Sequence, residues 1–172
     1  MYTALCEVKP GEICAGNYVH GLFFIRKQSN YSVTPYVRIS GVNALCRKDK
    51  DGFWIGTDEG VFFYCPENDS IVEVKRLSGL HIHSWHQSDD CLYIGTEANG
   101  LMVYHPEHEQ MDTVAALGTG NVYAVWSDDS RRLMGSSDGF AFSLDLVQHS
   151  YYRFLSKGIR ITSGTFLGNG SY

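Results

Sequence analysis

Three histidines lie within one run of six residues, His81-Ile82-His83-Ser84-Trp85-His86. Side chains two residues apart on a β-strand project from the same face, so His81 and His83 could offer two imidazoles to a borderline metal such as zinc. His86 falls on the opposite face of a regular strand. We prefer a simpler interpretation, in which these are polar strand residues that face a channel or hydrogen-bond to a neighbouring sheet. The run therefore supplies two weak metal candidates, His81 and His83, and we predict no cofactor.

Acidic side chains recur at turns and could in principle perform acid/base chemistry on a sugar; they are Asp58, Glu59, Glu97 and Asp138. Because they stand at matching places in a repeated pattern, turn formation is the better explanation. The sequence contains no G-x-S-x-G, H-E-x-x-H or phosphate-binding glycine loop. His105 and His108 flank Pro106-Glu107 and are interpreted as part of a solvent-exposed turn. We therefore predict no catalytic residues and no enzyme activity.

The composition excludes several classes of protein. The 172 residues are 44% hydrophobic and include 18 Gly, 11 Tyr and 9 Phe, which favours strands and turns. A formal charge of −5 argues against nucleic acid as a partner. Five cysteines without a CxxC pair predict neither a disulfide framework nor a zinc knuckle. The start MYTALCEVKPGEI does not resemble a signal peptide and no long apolar run occurs, so we expect no membrane contact by this segment.

Two sets of glycines recur at the same, nearly constant interval along the whole chain. The first set comprises Gly16, Gly56, Gly95 and Gly135. The second set keeps the same spacing and comprises Gly21, Gly60, Gly100 and Gly139. The segments around them, such as FWIGTDEGVFFY, LYIGTEANGLMVY and LMGSSDGFAFS, align with one another. The chain is therefore an internal repeat with a period of about 40 residues.

Each repeat unit contains four strand-like segments. The best copy, Val42 to Tyr64, has three β-branched and aromatic runs separated by turns at Asp51-Gly52 and Glu59-Gly60. A fourth apolar segment follows in every unit; the four are residues 36–39, 71–74, 113–115 and 151–155. A four-stranded meander that recurs at this period is typical of β-propeller blades. We predict an all-β fold of propeller blades.

The predicted blades occupy residues 1–40, 41–79, 80–119 and 120–158, with part of a fifth at 159–172. We expect an incomplete propeller over residues 1–172, because a seven-blade ring needs about 280 residues. The remaining blades, or another copy of the chain, would complete it. Unpaired strand edges at both ends of such an open ring predict self-association or instability, and we expect a homo-oligomer.

The succession D-x-D/G-x-W-I-G-T and G-hydrophobic-x-x-Y resembles the two-component regulator propeller repeat. The best match is the run Asp49 to Val61, followed by Leu92 to Thr96 with Gly100-Leu101. The first and fourth copies depart from it, since Gly16-Asn17 and Gly135-Ser136 stand where Gly-Thr is expected. The resemblance covers essentially the whole chain.

The resemblance implies a segment of the periplasmic sensor region of a membrane-anchored hybrid two-component histidine kinase. Such receptors respond to polysaccharide fragments, so an oligosaccharide is the expected ligand, and the kinase domain is absent from this chain. Two alternatives stay open: a polysaccharide-active propeller enzyme, either lyase or glycosidase, and a protein-interaction propeller.

In a propeller, the second-to-third strand turns and the connections between blades share one rim. That topology places a mixed set of carboxylates, amides and imidazoles together, which could hydrogen-bond a sugar. The predicted ligand-binding residues are His81, Asn121, Arg160, Asp58, Glu97 and Asn99. The same rim is expected to carry Asn17, Tyr18, His20, Glu59, Ser137 and Asp138, with Ser40 nearest the channel.

Overall fold

The structure, a computed structural model, describes residues 2–27, 30–36, 39–48, 52–88, 90–127 and 131–155. Within these ranges the chain forms sixteen β-strands in four antiparallel sheets, and each sheet has its strands in chain order. The predicted all-β fold of four-stranded blades is confirmed. Among the described residues, no helix has the length and apolar character needed to span a bilayer.

The four sheets, called blades 1 to 4, have the following strands. Blade 1 contains β1 (Tyr2–Lys9), β2 (Glu12–Asn17), β3 (Gly21–Lys27) and β4 (Tyr31–Tyr36). Blade 2 contains β5 (Ala44–Lys48), β6 (Gly52–Gly56), β7 (Val61–Cys65) and β8 (Ser70–Glu73). Blade 3 contains β9 (Ile82–Ser88), β10 (Cys91–Thr96), β11 (Leu101–His105) and β12 (Gln110–Thr113). Blade 4 contains β13 (Val122–Ser127), β14 (Arg132–Ser137), β15 (Phe140–Asp145) and β16 (Tyr151–Leu155).

The chain divides into two compact units, residues 1–82 and 83–172, and each has its own core. In the first unit the core joins Cys14, Leu22 and Phe24 of blade 1 to Phe53, Ile55 and Tyr64 of blade 2. The rings of Phe53 and Tyr64 lie 4.8 Å apart. In the second unit Leu101 and Leu117 pack with Leu133, Phe142 and Leu144. In each unit the core therefore lies between consecutive blades, which explains why the strands are apolar on more than one face.

Two of the predicted fourth strands were wrong in position. In blade 1 the strand is Tyr31–Tyr36 instead of 36–39, and in blade 3 it is Gln110–Thr113 instead of 113–115. In blades 2 and 3 the chain makes a 3-10 turn soon after this strand, at Lys75–Leu77 and Ala115–Leu117. Each turn buries its leucine, so the apolar residues there mark the 3-10 turn rather than the strand.

The first glycine set marks the place where one blade meets the next. A Cβ added at Gly16 would lie 2.6 Å from Cγ1 of Val42, and one at Gly56 would lie 2.7 Å from Cγ2 of Ile82. In the second unit, a Cβ at Gly95 would lie 3.0 Å from Cγ1 of Val122. Each partner is a β-branched residue just before or at the first strand of the following blade. Only a residue without a side chain leaves room for it.

Gly135, which the sequence aligns with this set, occupies a different position. Ala44 pairs with Gly56 in blade 2, whereas the equivalent Ala124 pairs with Ser136 in blade 4. The register is shifted by one residue because Ser137 pairs directly with Phe140, leaving a two-residue turn. The ring of Phe142 fills the space beside Gly135.

The predicted partial fifth blade lies outside the described residues, and the predicted blade boundaries stay predictions.

Replacing Gly56 with Ala tests the close approach. We expect Gly56→Ala to lower the free energy of unfolding by about 1–3 kcal/mol, because its methyl group would overlap the buried Ile82 side chain. Urea denaturation followed by circular dichroism measures this. Gly120→Ala is the matched control, because the nearest atom would be 3.7 Å away. Equal stability of the two variants would contradict the packing described here.

Candidate functional site

The turn between the second and third strands of blades 2 and 3 is fixed by the residue that follows the glycine. In blade 2 the buried Thr57 hydroxyl donates to the Gly60 carbonyl at 2.9 Å and accepts from the Glu59 amide at 3.1 Å. Thr96 donates to the Gly100 carbonyl at 2.7 Å in blade 3. The threonine of the Gly-Thr motif thus stabilises the turn by hydrogen bonds to its backbone, and the residues that follow it point toward solvent.

Blade 1 reaches a similar result with asparagine in place of threonine. The Asn17 side-chain oxygen accepts from the backbone amides of Val19 at 3.0 Å and His20 at 2.9 Å. Tyr18 and Val19 are exposed at the tip of this turn. Asn17 in place of threonine therefore still closes the turn by hydrogen bonds, and the residues exposed at its tip are Tyr18 and Val19.

Asp58 links the residue just before the first strand of its own blade to the start of the next repeat. Its Oδ1 accepts from Asn43 Nδ2 at 2.7 Å and lies 2.8 Å from His81 Nε2. Gly41 lies against the other oxygen, since a Cβ there would be 3.1 Å from Oδ2. The structure thus brings together two predicted ligand-binding residues, His81 and Asp58, and gives them a bond to each other.

Asn121 has a comparable role in the second unit. Its side-chain oxygen accepts from the Ala98 amide at 3.0 Å, and its Nδ2 donates to the Tyr123 hydroxyl at 3.1 Å. Tyr123 in turn donates to Asp138 Oδ1 at 2.6 Å. Tyr123 and Asp138 occupy the places that Asn43 and Asp58 occupy in blade 2. A hydrogen bond to the turn carboxylate from the residue that precedes the paired alanine is therefore repeated in both units.

Two further predicted site residues, Glu97 and Asn99, lie in one exposed turn. Asn99 Nδ2 donates to the Glu97 carbonyl at 3.0 Å, and Asn121 contacts the same turn through Ala98. Arg160 lies outside the described residues.

The two metal candidates have different neighbours. His81 faces the Asp58 carboxylate, whereas the ring of His83 lies 5.3 Å from that of Tyr123. No group of three or more His, Cys, Asp or Glu side chains in the described ranges is arranged to hold a metal ion. Burial lowers the pKa of the third histidine of the run, His86.

A cleft of about 280 Å³ lies in the first unit, between the turns of blades 1 and 2. Its walls are Tyr18, Val19, Ser40, Gly41, Asp58 and Glu59. The Gly41 amide donates to the Tyr18 carbonyl at 2.7 Å, which holds the connection between the blades against the blade 1 turn. The cleft combines an aromatic ring, a hydroxyl and two carboxylates. This set can take a polar ligand that has one apolar face.

A second, larger groove of about 430 Å³ lies in the second unit, beside the outer strands of blades 3 and 4. Tyr93 and Tyr151 form apolar walls, and His105, Asp112 and His149 add polar groups. His105 is the last residue of β11 rather than part of an exposed turn, which corrects the prediction. No sequence motif indicates this groove, because its walls come from strands of two different repeats.

No protein-family model matches the sequence, and no curated protein matches it. Solved structures match over nearly the whole chain. The extracellular domain of BT4673 from B. thetaiotaomicron, described as a hybrid two-component system, is 16% identical with a TM-score of 0.76 over 91% of this chain. A second structure of that domain, described as a one-component system, gives 16% identity and 0.75 over 91% of this chain. This chain shares the fold of these domains.

A third match is the extracellular domain of BT3049 from the same organism, also described as a hybrid two-component system. It is 14% identical with a TM-score of 0.71 over 96% of this chain. The chain spans 22% of the two BT4673 chains and 23% of the BT3049 chain. At this level of identity the likeness concerns the fold.

Asp58 should matter more for stability than its neighbour in the same turn. We expect Asp58→Ala to lower the free energy of unfolding by about 1–2 kcal/mol, because Asn43 and His81 both lose their partner. Glu59→Ala serves as the control and should change it by less than about 0.5 kcal/mol, since the Glu59 side chain is exposed. Chemical denaturation of the two variants measures the difference. Similar losses in both would refute the role of Asp58.

Proposed function

We propose that the chain is a non-catalytic segment of the extracytoplasmic sensor region of a hybrid two-component histidine kinase. The fold shared with extracellular domains of proteins described in those terms supports the proposal. The resemblance of the repeat motif to the two-component regulator propeller supports it independently. The segment would lie in the periplasm, and the membrane anchor and the kinase would belong to other parts of the parent receptor. A change in domain arrangement would carry the signal.

We further propose that the ligand is a glycan fragment and that it binds in the cleft of the first unit. The cleft is the observation that carries this proposal. A sugar ring presents C–H groups on its faces and hydroxyls on its edge, so the Tyr18 ring suits the face. Asp58 and Glu59 can accept hydrogen bonds from the hydroxyls. The volume lies at the small end of ligand sites, which suits one or two sugar units.

Asp58 is poorly placed to act as a glycosidase acid or base. Its Oδ1 is already bonded to Asn43 and lies beside His81. The equivalent pair in blade 4, Tyr123 and Asp138, indicates that this carboxylate has a structural role. We therefore assign the cleft to binding rather than to turnover.

Binding by the cleft predicts a specific pattern among variants. We expect Tyr18→Ala to weaken glycan binding by about tenfold because it removes the stacking surface, and Glu59→Gln to weaken it through loss of a charged acceptor. Tyr31→Ala and Glu67→Gln are the matched controls, since both residues are exposed elsewhere in the first unit. Calorimetric titration with a panel of mono- and oligosaccharides, with product analysis for turnover, measures both functions. If no sugar of the panel binds the wild-type chain, or if all four variants bind with equal affinity, the proposal is refuted.

The outer face of blade 1 suggests a partner for the chain. Cross-strand neighbours place Leu5, Ile13 and Val33 on the side of the sheet opposite the core, and they are 68%, 41% and 56% exposed. The residues that match Ile13 in blades 2 and 4, Phe53 and Leu133, are fully buried. The preceding blade covers that face in both cases.

We propose that the outer face of blade 1 receives another blade. In the parent receptor a further blade would supply it, and in the isolated chain a second copy would do so. Burying apolar side chains of this size favours association by roughly 25 cal/mol per Å² of apolar area.

The isolated chain should therefore self-associate. We expect the wild-type chain to sediment as a dimer or larger species, and Leu5→Asp combined with Val33→Asp to shift it toward monomer, because two charges would be buried at the contact. Analytical ultracentrifugation over a concentration series measures this. Val147→Asp, in the exposed turn after β15, is the control and should leave the association unchanged. A wild-type monomer at all concentrations would contradict the proposal.

A further inference from the structure

Each blade pairs one residue near the start of its second strand with one near the end of its third. In blade 1 this pair is Glu12 and Arg26, which form a salt bridge of 2.8 Å. In blade 4 it is Arg132 and Asp145, which face each other across β14 and β15. The repeat therefore places opposite charges at this position in two blades.

Blade 3 has a thiol and an imidazole at the same position. Cys91 Sγ lies 3.1 Å from His105 Nδ1, within hydrogen-bonding distance. A cysteine and a histidine can carry opposite charges only as thiolate and imidazolium. His105 Nε2, the other ring nitrogen, lies 3.9 Å from Asp112 Oδ2, so a carboxylate stands near the ring beyond direct hydrogen-bonding distance.

The groove of the second unit reaches the His105 side of this pair. His105 and Asp112 are among its lining residues, and its volume is about 430 Å³. Cys91 is only partly buried. A nucleophilic thiol, a base beside it and an open cavity next to the base are the components that an activated cysteine requires.

The other cysteines have different surroundings. Burial raises the pKa of Cys14 far above its ordinary value and also raises that of Cys6. The Cys46 thiol lies 3.7 Å from the Arg47 carbonyl. Cys65 is the most useful comparison because it occupies the His105 position in blade 2, where the residue matching Cys91 is Gly52.

We propose that Cys91 is a site of reversible modification by small disulfides, with His105 as the base that activates it. The Cys91 thiol gives its proton to His105 Nδ1, and the thiolate attacks one sulfur of the small disulfide. A new S–S bond joins Cys91 to that sulfur while the original S–S bond breaks. The other half leaves as a thiolate and takes the proton from His105, so Cys91 is oxidised and the leaving half is reduced.

The location given by the proposed function adds a reason for such a site, because disulfides persist outside the cytoplasm. The chemistry itself depends only on the second unit, whereas the proposed glycan cleft lies in the first. Failure of one proposal therefore leaves the other standing.

Oxidised glutathione is the probe for this proposal, used with the full chain at neutral pH and with peptide mapping by mass spectrometry at each cysteine. We expect Cys91 to form the mixed disulfide at least about tenfold faster than Cys65. His105→Gln should abolish that excess and leave the Cys65 rate unchanged. His108→Gln, which changes a histidine in the turn that follows β11, should leave the Cys91 rate unchanged.

Cys14 reports whether each variant is folded, because it is fully buried and should stay unmodified. If His105→Gln unfolds the chain, the rate at wild-type Cys91 is followed against pH instead. It should reach its plateau at lower pH than the rate at Cys65. A Cys91 rate no higher than that of Cys65, persistence of the excess in folded His105→Gln, or identical pH profiles would each overturn the proposal.

Discussion

Close approach of consecutive repeats at one backbone position is the constraint on which this structure depends. The second strand of a blade must carry a residue without a side chain where a β-branched residue of the next repeat packs, as Gly56 does for Ile82. The same contact is made by Gly16 with Val42 and by Gly95 with Val122. Because the contact joins neighbouring repeats, its interval along the chain sets the spacing of the repeats that make it. The core between blades, such as Phe53 against Phe24, follows from that spacing.

The repeat and its strands could be predicted because glycine spacing and strand composition are local signals. The register of blade 4 could not, since the segment Gly135-Ser136-Ser137 offers small residues at three successive positions. Only the pairing of Ser137 with Phe140 and the placement of Phe142 beside Gly135 show that Ser136, and not Gly135, takes the position that Gly56 has in blade 2. The 3-10 turns could not be predicted either, because three residues are too few to show a helical period.

The candidate site was predictable only in part. Topology correctly indicated that turns and connections between blades lie together, as the bond between His81 and Asp58 shows. It did not reveal that these polar groups bond to each other, because hydrogen-bond partners depend on side-chain geometry. The walls of the cleft depend on the turn that Asn17 closes, which exposes Tyr18 and Val19. The pair Cys91 and His105 is separated by a whole hairpin and becomes evident only from strand register.

Nuclear Overhauser spectroscopy on a methyl-labelled chain tests the central claim most directly. The account predicts cross-peaks from the Hα protons of Gly16, Gly56 and Gly95 to the methyl groups of Val42, Ile82 and Val122, respectively. Absence of these three cross-peaks from a folded chain would contradict it, because the repeats would then not meet at the glycines.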